Sequence, residues 1–205
     1  MGLIRRYPDH TRLNHWAVAL LFVLAALSGL SIFHPALYFL SGLLGGGTWA
    51  RILHPFIGVL MALGFLLLFV QVWRENVWKR SDRDWVRHAP AMLAGDKREL
   101  AQTGKNNAGQ KLVFWVFALS LVVLFATGFI FWQPWFADAF PVPLRRVAVL
   151  LHAIAAVVLI LSVIVHVYAA IWIKGTMRAM TRGTVSEAWA RKNHPRWYRE
   201  TTERR

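Results

Sequence analysis

The sequence predicts an all-α fold: an integral membrane bundle of four helices with both termini on the cytoplasmic side. Three observations carry this. The chain has 205 residues, 57% of them hydrophobic, with 11 Trp and 13 Phe. Lys, Arg, Asp and Glu are absent from Leu13–Ala50, Ile52–Trp73, Leu112–Ala137 and Val147–Ile173. About 20 apolar residues cross a bilayer, and each of these stretches suffices. Finally, the formal net charge of +14 is confined to the segments between and beyond them.

The first span covers about residues 15–33 and stops at His34-Pro35, since proline disfavours helix in the residue before it. Gly45-Gly46-Gly47 supplies a flexible turn into the second span, about 52–73. A polar, charged stretch runs from Arg74 to Lys111 and contains Gly104-Lys105-Asn106-Asn107, a turn-forming run. The third span covers about 112–133 and closes at Gln133-Pro134. A short loop with Pro141 and Pro143 leads to the fourth, about 146–173. Residues 1–175 read as the membrane domain and 176–205 as a basic cytoplasmic tail. The first apolar run is not a cleaved leader, because three more spans follow it.

Basic residues set the orientation. The N-terminal arm carries three Lys and Arg, the middle loop nine and the tail nine. Arg51 alone lies in the first loop, and Arg145 and Arg146 in the third. Placing both termini and the middle loop in the cytoplasm satisfies the rule throughout. The same split excludes nucleic acid as a partner, because the charge is divided by a membrane rather than gathered into one patch. The absence of cysteine excludes disulfides, a zinc ribbon, thiolate-held iron–sulfur clusters and covalent c-type haem.

Ionisable groups inside spans are costly and mark function by default. Here they are histidines. His152 and His166 are 14 residues apart in span four; at about 100° per residue they share nearly one face, about 21 Å apart along the axis. They therefore sit in opposite leaflets of a core about 30 Å thick. Span four runs inward, so His152 lies near the outer surface. Span two also begins outside, at His54; span one begins inside, at His15. Topology then pairs His54 with His152 and His15 with His166. Two imidazoles facing each other across a bundle suit axial ligation of haem iron. Bis-histidine ligation fills both axial positions and suits electron transfer.

Gly29, Gly58, Ala156 and Ala170 either leave room for a porphyrin or serve ordinary small-residue helix packing. Arg51, Arg145 and Arg146 either meet haem propionates or are interfacial loop charges. His34 reads as a helix cap, Met61 as packing, and His10, His88 and His194 as solvated residues of the cytoplasmic segments. The segment Gly104–Lys111 offers amide donors and acceptors with glycine for close approach. It reads either as a quinone head-group site or as a plain interfacial segment.

Several stretches resemble one family: Asn14-His15-Trp16, Gly29, Arg51-Ile52-Leu53-His54-Pro55-Phe56, Asn107-Ala108-Gly109-Gln110-Lys111, Leu151-His152-Ala153, His166 with Tyr168, Trp172-Ile173-Lys174-Gly175, and His194-Pro195-Arg196-Trp197-Tyr198-Arg199-Glu200. With these the chain resembles the cytochrome b (gamma) subunit of membrane-bound respiratory formate dehydrogenases, over nearly its whole length. The four spans alone also fit the cytochrome b subunit of a membrane-bound hydrogenase or another oxidoreductase; the tail and the Arg51–Phe56 stretch favour the first. The resemblance implies a di-haem fold with two b haems on His15, His54, His152 and His166. It implies reduction of menaquinone or ubiquinone near the inner haem, with Asn107, Gly109 and Gln110 at the quinone. It further implies an iron–sulfur (beta) subunit, a molybdenum or tungsten catalytic (alpha) subunit on the outer side, and residence in the bacterial cytoplasmic (inner) membrane. This chain would oxidise no formate itself.

Overall fold

The computed structural model describes residues 2–93 and 103–203, at the backbone alone for 89–93. Lys97, Arg98, Arg204 and Arg205, counted above among the cytoplasmic charges, lie outside the described residues.

Four helices are long and apolar enough to cross a membrane: α1 (Asp9–Phe33), α2 (Gly47–Val72), α4 (Ala108–Phe131) and α5 (Val142–Trp172). This is an all-α, multi-pass membrane protein. Each helix starts several residues before the expected span. Between α1 and α2, Pro35–Leu44 forms 3₁₀ turns. His34 caps them by accepting a hydrogen bond from the Ala36 amide at 3.2 Å, as its His-Pro context suggests. Gly45 closes them at φ 83°, a left-handed conformation that suits glycine. Pro55 inside α2 removes one helical hydrogen bond immediately after His54.

The polar stretch after α2, expected as a loop, contains a helix. It is α3 (Arg80–Leu93). Polar and charged residues dominate it, so it lacks the apolar run that marks a span; Asp82 nevertheless points inward while Arg83, Arg87 and His88 face out.

The chain divides into two compact units. One, the span unit, comprises Leu13–Phe69 and Val116–Ile164. Its interior combines small and hydroxyl-bearing residues, Ala25, Ser28, Ser31, Ala50, Ser120, Thr127, Ala148 and Ala155, with the larger Phe65, Leu121 and Leu159. Its surface shows Leu20, Leu63, Leu67, Leu119, Val122 and Leu150. Lipid is as apolar as leucine, so close backbone approach at the small residues contributes to this packing. Asn14 donates from Nδ2 to the Gly64 carbonyl at 3.0 Å, tying α1 to α2. Met61 is buried as packing.

The second, polar unit comprises Met1–Arg12, Val70–Trp115 and Val165–Arg205. Here the expected basic tail is a folded structure: α6 (Thr176–Arg182), β2 (Thr184–Ser186), α7 (Glu187–Asn193) and α8 (Pro195–Thr202). β2 pairs antiparallel with β1 (Leu3–Arg5), with Ile4 opposite Val185. Ile4, Ala179, Val185, Ala190 and Trp197 form its core. Gly183, at φ 74°, accepts the amides of Arg6 and Tyr7 on its carbonyl. A side chain there would meet the Tyr7 carbonyl oxygen at 2.8 Å.

His194 departs from the solvated role expected of it. It is 3% exposed, its Nδ1 lies 2.8 Å from the Gly104 carbonyl, and its Nε2 is 3.5 Å from Arg6. Arg6 is itself 5% exposed and packed 4.9 Å over the Trp197 ring. Burial, together with the Arg6 charge, pushes the His194 pKa down to about 3, so the ring is neutral. His10 and His88 are exposed, as expected.

Candidate functional site: a histidine pair between the spans

Within the span unit, α2 and α5 bring His54 and His152 together, with ring centroids 6.2 Å apart and ring planes at 68°. Two metal–nitrogen bonds of about 2 Å each, with about 1 Å from each nitrogen to its ring centre, would give a separation of about 6 Å. The spacing therefore suits one metal ion shared by both rings.

Each ring is held by a hydroxyl on the neighbouring helix. Ser28 Oγ, on α1, is 2.8 Å from His54 Nδ1. Thr127 Oγ1, on α4, is 3.0 Å from His152 Nδ1. A hydroxyl has one proton. Ser28 sends it back to the Leu24 and Ala25 carbonyls, at 2.8 and 3.0 Å, and Thr127 to the Val123 carbonyl, at 2.6 Å. With its proton on a carbonyl, each hydroxyl oxygen is free to accept from the imidazole. In that arrangement Nδ1 carries the proton in both rings, and Nε2 keeps the lone pair that a metal needs. The donor chemistry fits the axial positions of a haem.

Glycine follows each hydroxyl. A methyl group at Gly29 would lie 3.0 Å from His54 Cε1, and one at Gly128 would lie 3.3 Å from His152 Cε1. Both rings sit tight against bare backbone. One turn along α2 from His54, no atom lies within 4 Å of where a Gly58 Cβ would be, so room remains there. Ser28, Thr127 and Gly128 were not singled out from the sequence. Their signal was a hydroxyl-glycine dipeptide, Ser28-Gly29 and Thr127-Gly128, inside an otherwise apolar span. Arg145 pairs with Asp138 at 3.5 Å, which favours the loop-charge reading for it. Arg51 donates to its own helix, at the Gly47 carbonyl.

His15 and His166 fall in different units. His15 packs edge-on to Trp16 at 5.3 Å in the span unit. His166 lies on α5 in the polar unit, one turn before Ala170.

Asn107 and Gln110 also belong to the polar unit, where they form a reciprocal cap on α4. Gln110 N donates to Asn107 Oδ1 at 2.8 Å, and Asn107 N donates to Gln110 Oε1 at 3.0 Å. Both amide oxygens are thereby used, and each side chain retains an NH₂ donor group. Gly109 lies between them, under the Trp85 ring. The segment before the cap is held from three sides. Arg196 N donates to the Thr103 carbonyl, His194 engages the Gly104 carbonyl, and Asn106 donates to Asn76 Oδ1 at 3.0 Å. Lys111 and Asp82 form a buried ion pair at 2.7 Å that fixes α3 to α4.

Comparison with known proteins now bears on this geometry. A family model for prokaryotic cytochrome b561 matches residues 6–183. The chain is 45% identical to the formate dehydrogenase cytochrome b556(fdo) subunit of Escherichia coli K12, covering 98% of this chain and 96% of that one. It is 41% identical to the nitrate-inducible formate dehydrogenase cytochrome b556(Fdn) subunit of the same organism, covering 92% and 87%. It is 38% identical to the formate dehydrogenase cytochrome b556 subunit of Haemophilus influenzae, covering 96% and 83%. A paired-imidazole site between apolar helices, in a chain matched along most of its length, belongs to a protein of the prokaryotic cytochrome b561 family, a family of haem b proteins.

Proposed function

We propose that the chain is the membrane cytochrome b subunit of a respiratory formate dehydrogenase, and carries electrons from an iron–sulfur subunit to membrane quinone. The observation that carries this is the His54–His152 pair, with each Nδ1 beside a hydroxyl of the neighbouring helix, an arrangement in which each Nε2 would be available to iron. His54 and His152 would hold the outer of two b haems, and His15 and His166 the inner. Held by these residues, haem would supply one-electron carriage.

This chain's own residues do the rest. Ser28 and Thr127 orient the outer ligands. The α4 cap presents the Asn107 and Gln110 NH₂ groups, which would donate to a quinone carbonyl, and Gly109, with the Trp85 ring against it, would border the head group. The proposed partners are an iron–sulfur subunit and a molybdenum or tungsten catalytic subunit on the outer side; the quinone is menaquinone or ubiquinone. With both termini cytoplasmic in the inner membrane, each electron moves inward. Against 100 mV that costs about 2.3 kcal/mol per charge, so the redox drop must exceed it and is partly conserved as membrane potential.

The test is formate-driven quinone reduction in membranes that contain the whole complex. His54→Ala should leave formate oxidation by an artificial acceptor intact and abolish formate-dependent quinone reduction. Quinone reduction at the wild-type rate in that variant would refute the proposal.

A further inference from the structure

The hydroxyls behind the histidine pair do more than satisfy buried polar groups. A serine or threonine in an apolar helix is already satisfied once its proton reaches the carbonyl three or four residues back. Ser28 and Thr127 both do this. Each is buried, Ser28 at 0% and Thr127 at 6% exposure, and each aims its remaining acceptor capacity at one imidazole nitrogen. They come from different helices and serve ligands on different helices, yet repeat the same local chemistry. In both cases glycine follows, so that the imidazole can come down onto the helix backbone.

The consequences are chemical. Giving a proton to a carbonyl enriches the hydroxyl oxygen as an acceptor. An imidazole that donates from Nδ1 becomes a stronger electron donor at Nε2, and its orientation is fixed. A stronger axial donor favours the oxidised metal. The angle between two axial ring planes also governs the g-anisotropy of a low-spin ferric haem; here the planes are held at 68°.

Resting on the bis-histidine reading above, we propose that Ser28 and Thr127 are paired positioning residues that set the tautomer and ring orientation of His54 and His152, and lower the potential of the haem those residues hold. The site takes no new ligand. It sets how readily the outer haem gives up its electron inward.

The test uses the purified complex with Ser28→Ala, Thr127→Ala and the double variant, beside the conservative Ser28→Thr and Thr127→Ser. Haem stoichiometry, midpoint potentials and EPR spectra are measured on each. With haem retained, the outer-haem potential should rise in each alanine variant and further in the double. Its low-field EPR feature should move, the inner haem should stay unchanged, and the conservative variants should match wild type. A double variant that retains haem with unaltered outer potential and EPR position overturns the proposal. If an alanine variant instead loses the outer haem, retention in its conservative counterpart supports the proposal and loss in both overturns it. A wild-type complex with no haem dependent on His54 and His152 would refute the underlying reading, which is visible before any hydroxyl is changed.

Discussion

At the scale of single residues, His194 has the clearest consequence outside the membrane. Its folded pKa of about 3 lies below the ordinary histidine value of 6.5. The unfolded chain therefore takes up a proton near pH 6.5 that the folded polar unit refuses until about pH 3. Stability is complete above pH 6.5 and falls as pH drops towards 3, with a slope of up to about 1.4 kcal/mol per pH unit. Trp189 and Trp197 both contact the ring and report its environment. Tryptophan fluorescence during denaturation should show this slope in wild type and a flatter one in His194→Gln; equal slopes would remove His194 as the cause. The histidine's burial was not legible from sequence, because its partners, Arg6 and Gly104, are 188 and 90 residues away. Ser28 and Thr127 were passed over for a related reason: a hydroxyl in an apolar span usually bonds its own helix, and only the fold shows which ring lies beside it.

At the scale of elements, the start of α4 carries two separable duties. Asn107 Oδ1 caps the helix, and the NH₂ group is the candidate quinone donor. Asn107→Ala removes both and should destabilise the α4 terminus by about 1 kcal/mol. Asn107→Asp keeps the acceptor and loses the donor. The account expects the aspartate variant to melt like wild type while its quinone KM rises; a normal quinone KM in both variants would leave Asn107 with the cap alone. The sequence reading of Gly104–Lys111 did not include the cap, although Asn107 and Gln110 stand three residues apart before an apolar run. The four long helices were legible because lipid demands unbroken apolar stretches. α3 was not, because its face is recognised by the Asp82–Lys111 pair rather than by apolar residues. The tail was legible as basic, and not as folded. Its core, Ile4 with Val185 and Trp197, joins the two ends of the chain, and no local periodicity records such a pairing.

At the scale of the whole molecule, the +14 charge and the apolar runs are two sides of one design. By the positive-inside rule, basic segments would set which end of each span lies inside, and span direction would then set which histidines share a depth. That reasoning paired His54 with His152, and the two rings stand 6.2 Å apart in the span unit. The pairing of His15 with His166 rests on the same logic. Redox-titrated optical and EPR spectroscopy of the purified protein, wild type beside His15→Ala, His54→Ala, His152→Ala and His166→Ala, tests the central claim most directly. The account predicts two low-spin haems, one lost equally in the His54 and His152 variants and the other lost equally in the His15 and His166 variants. A haem-free protein, or variants of His54 and His152 that remove different signals, would contradict it.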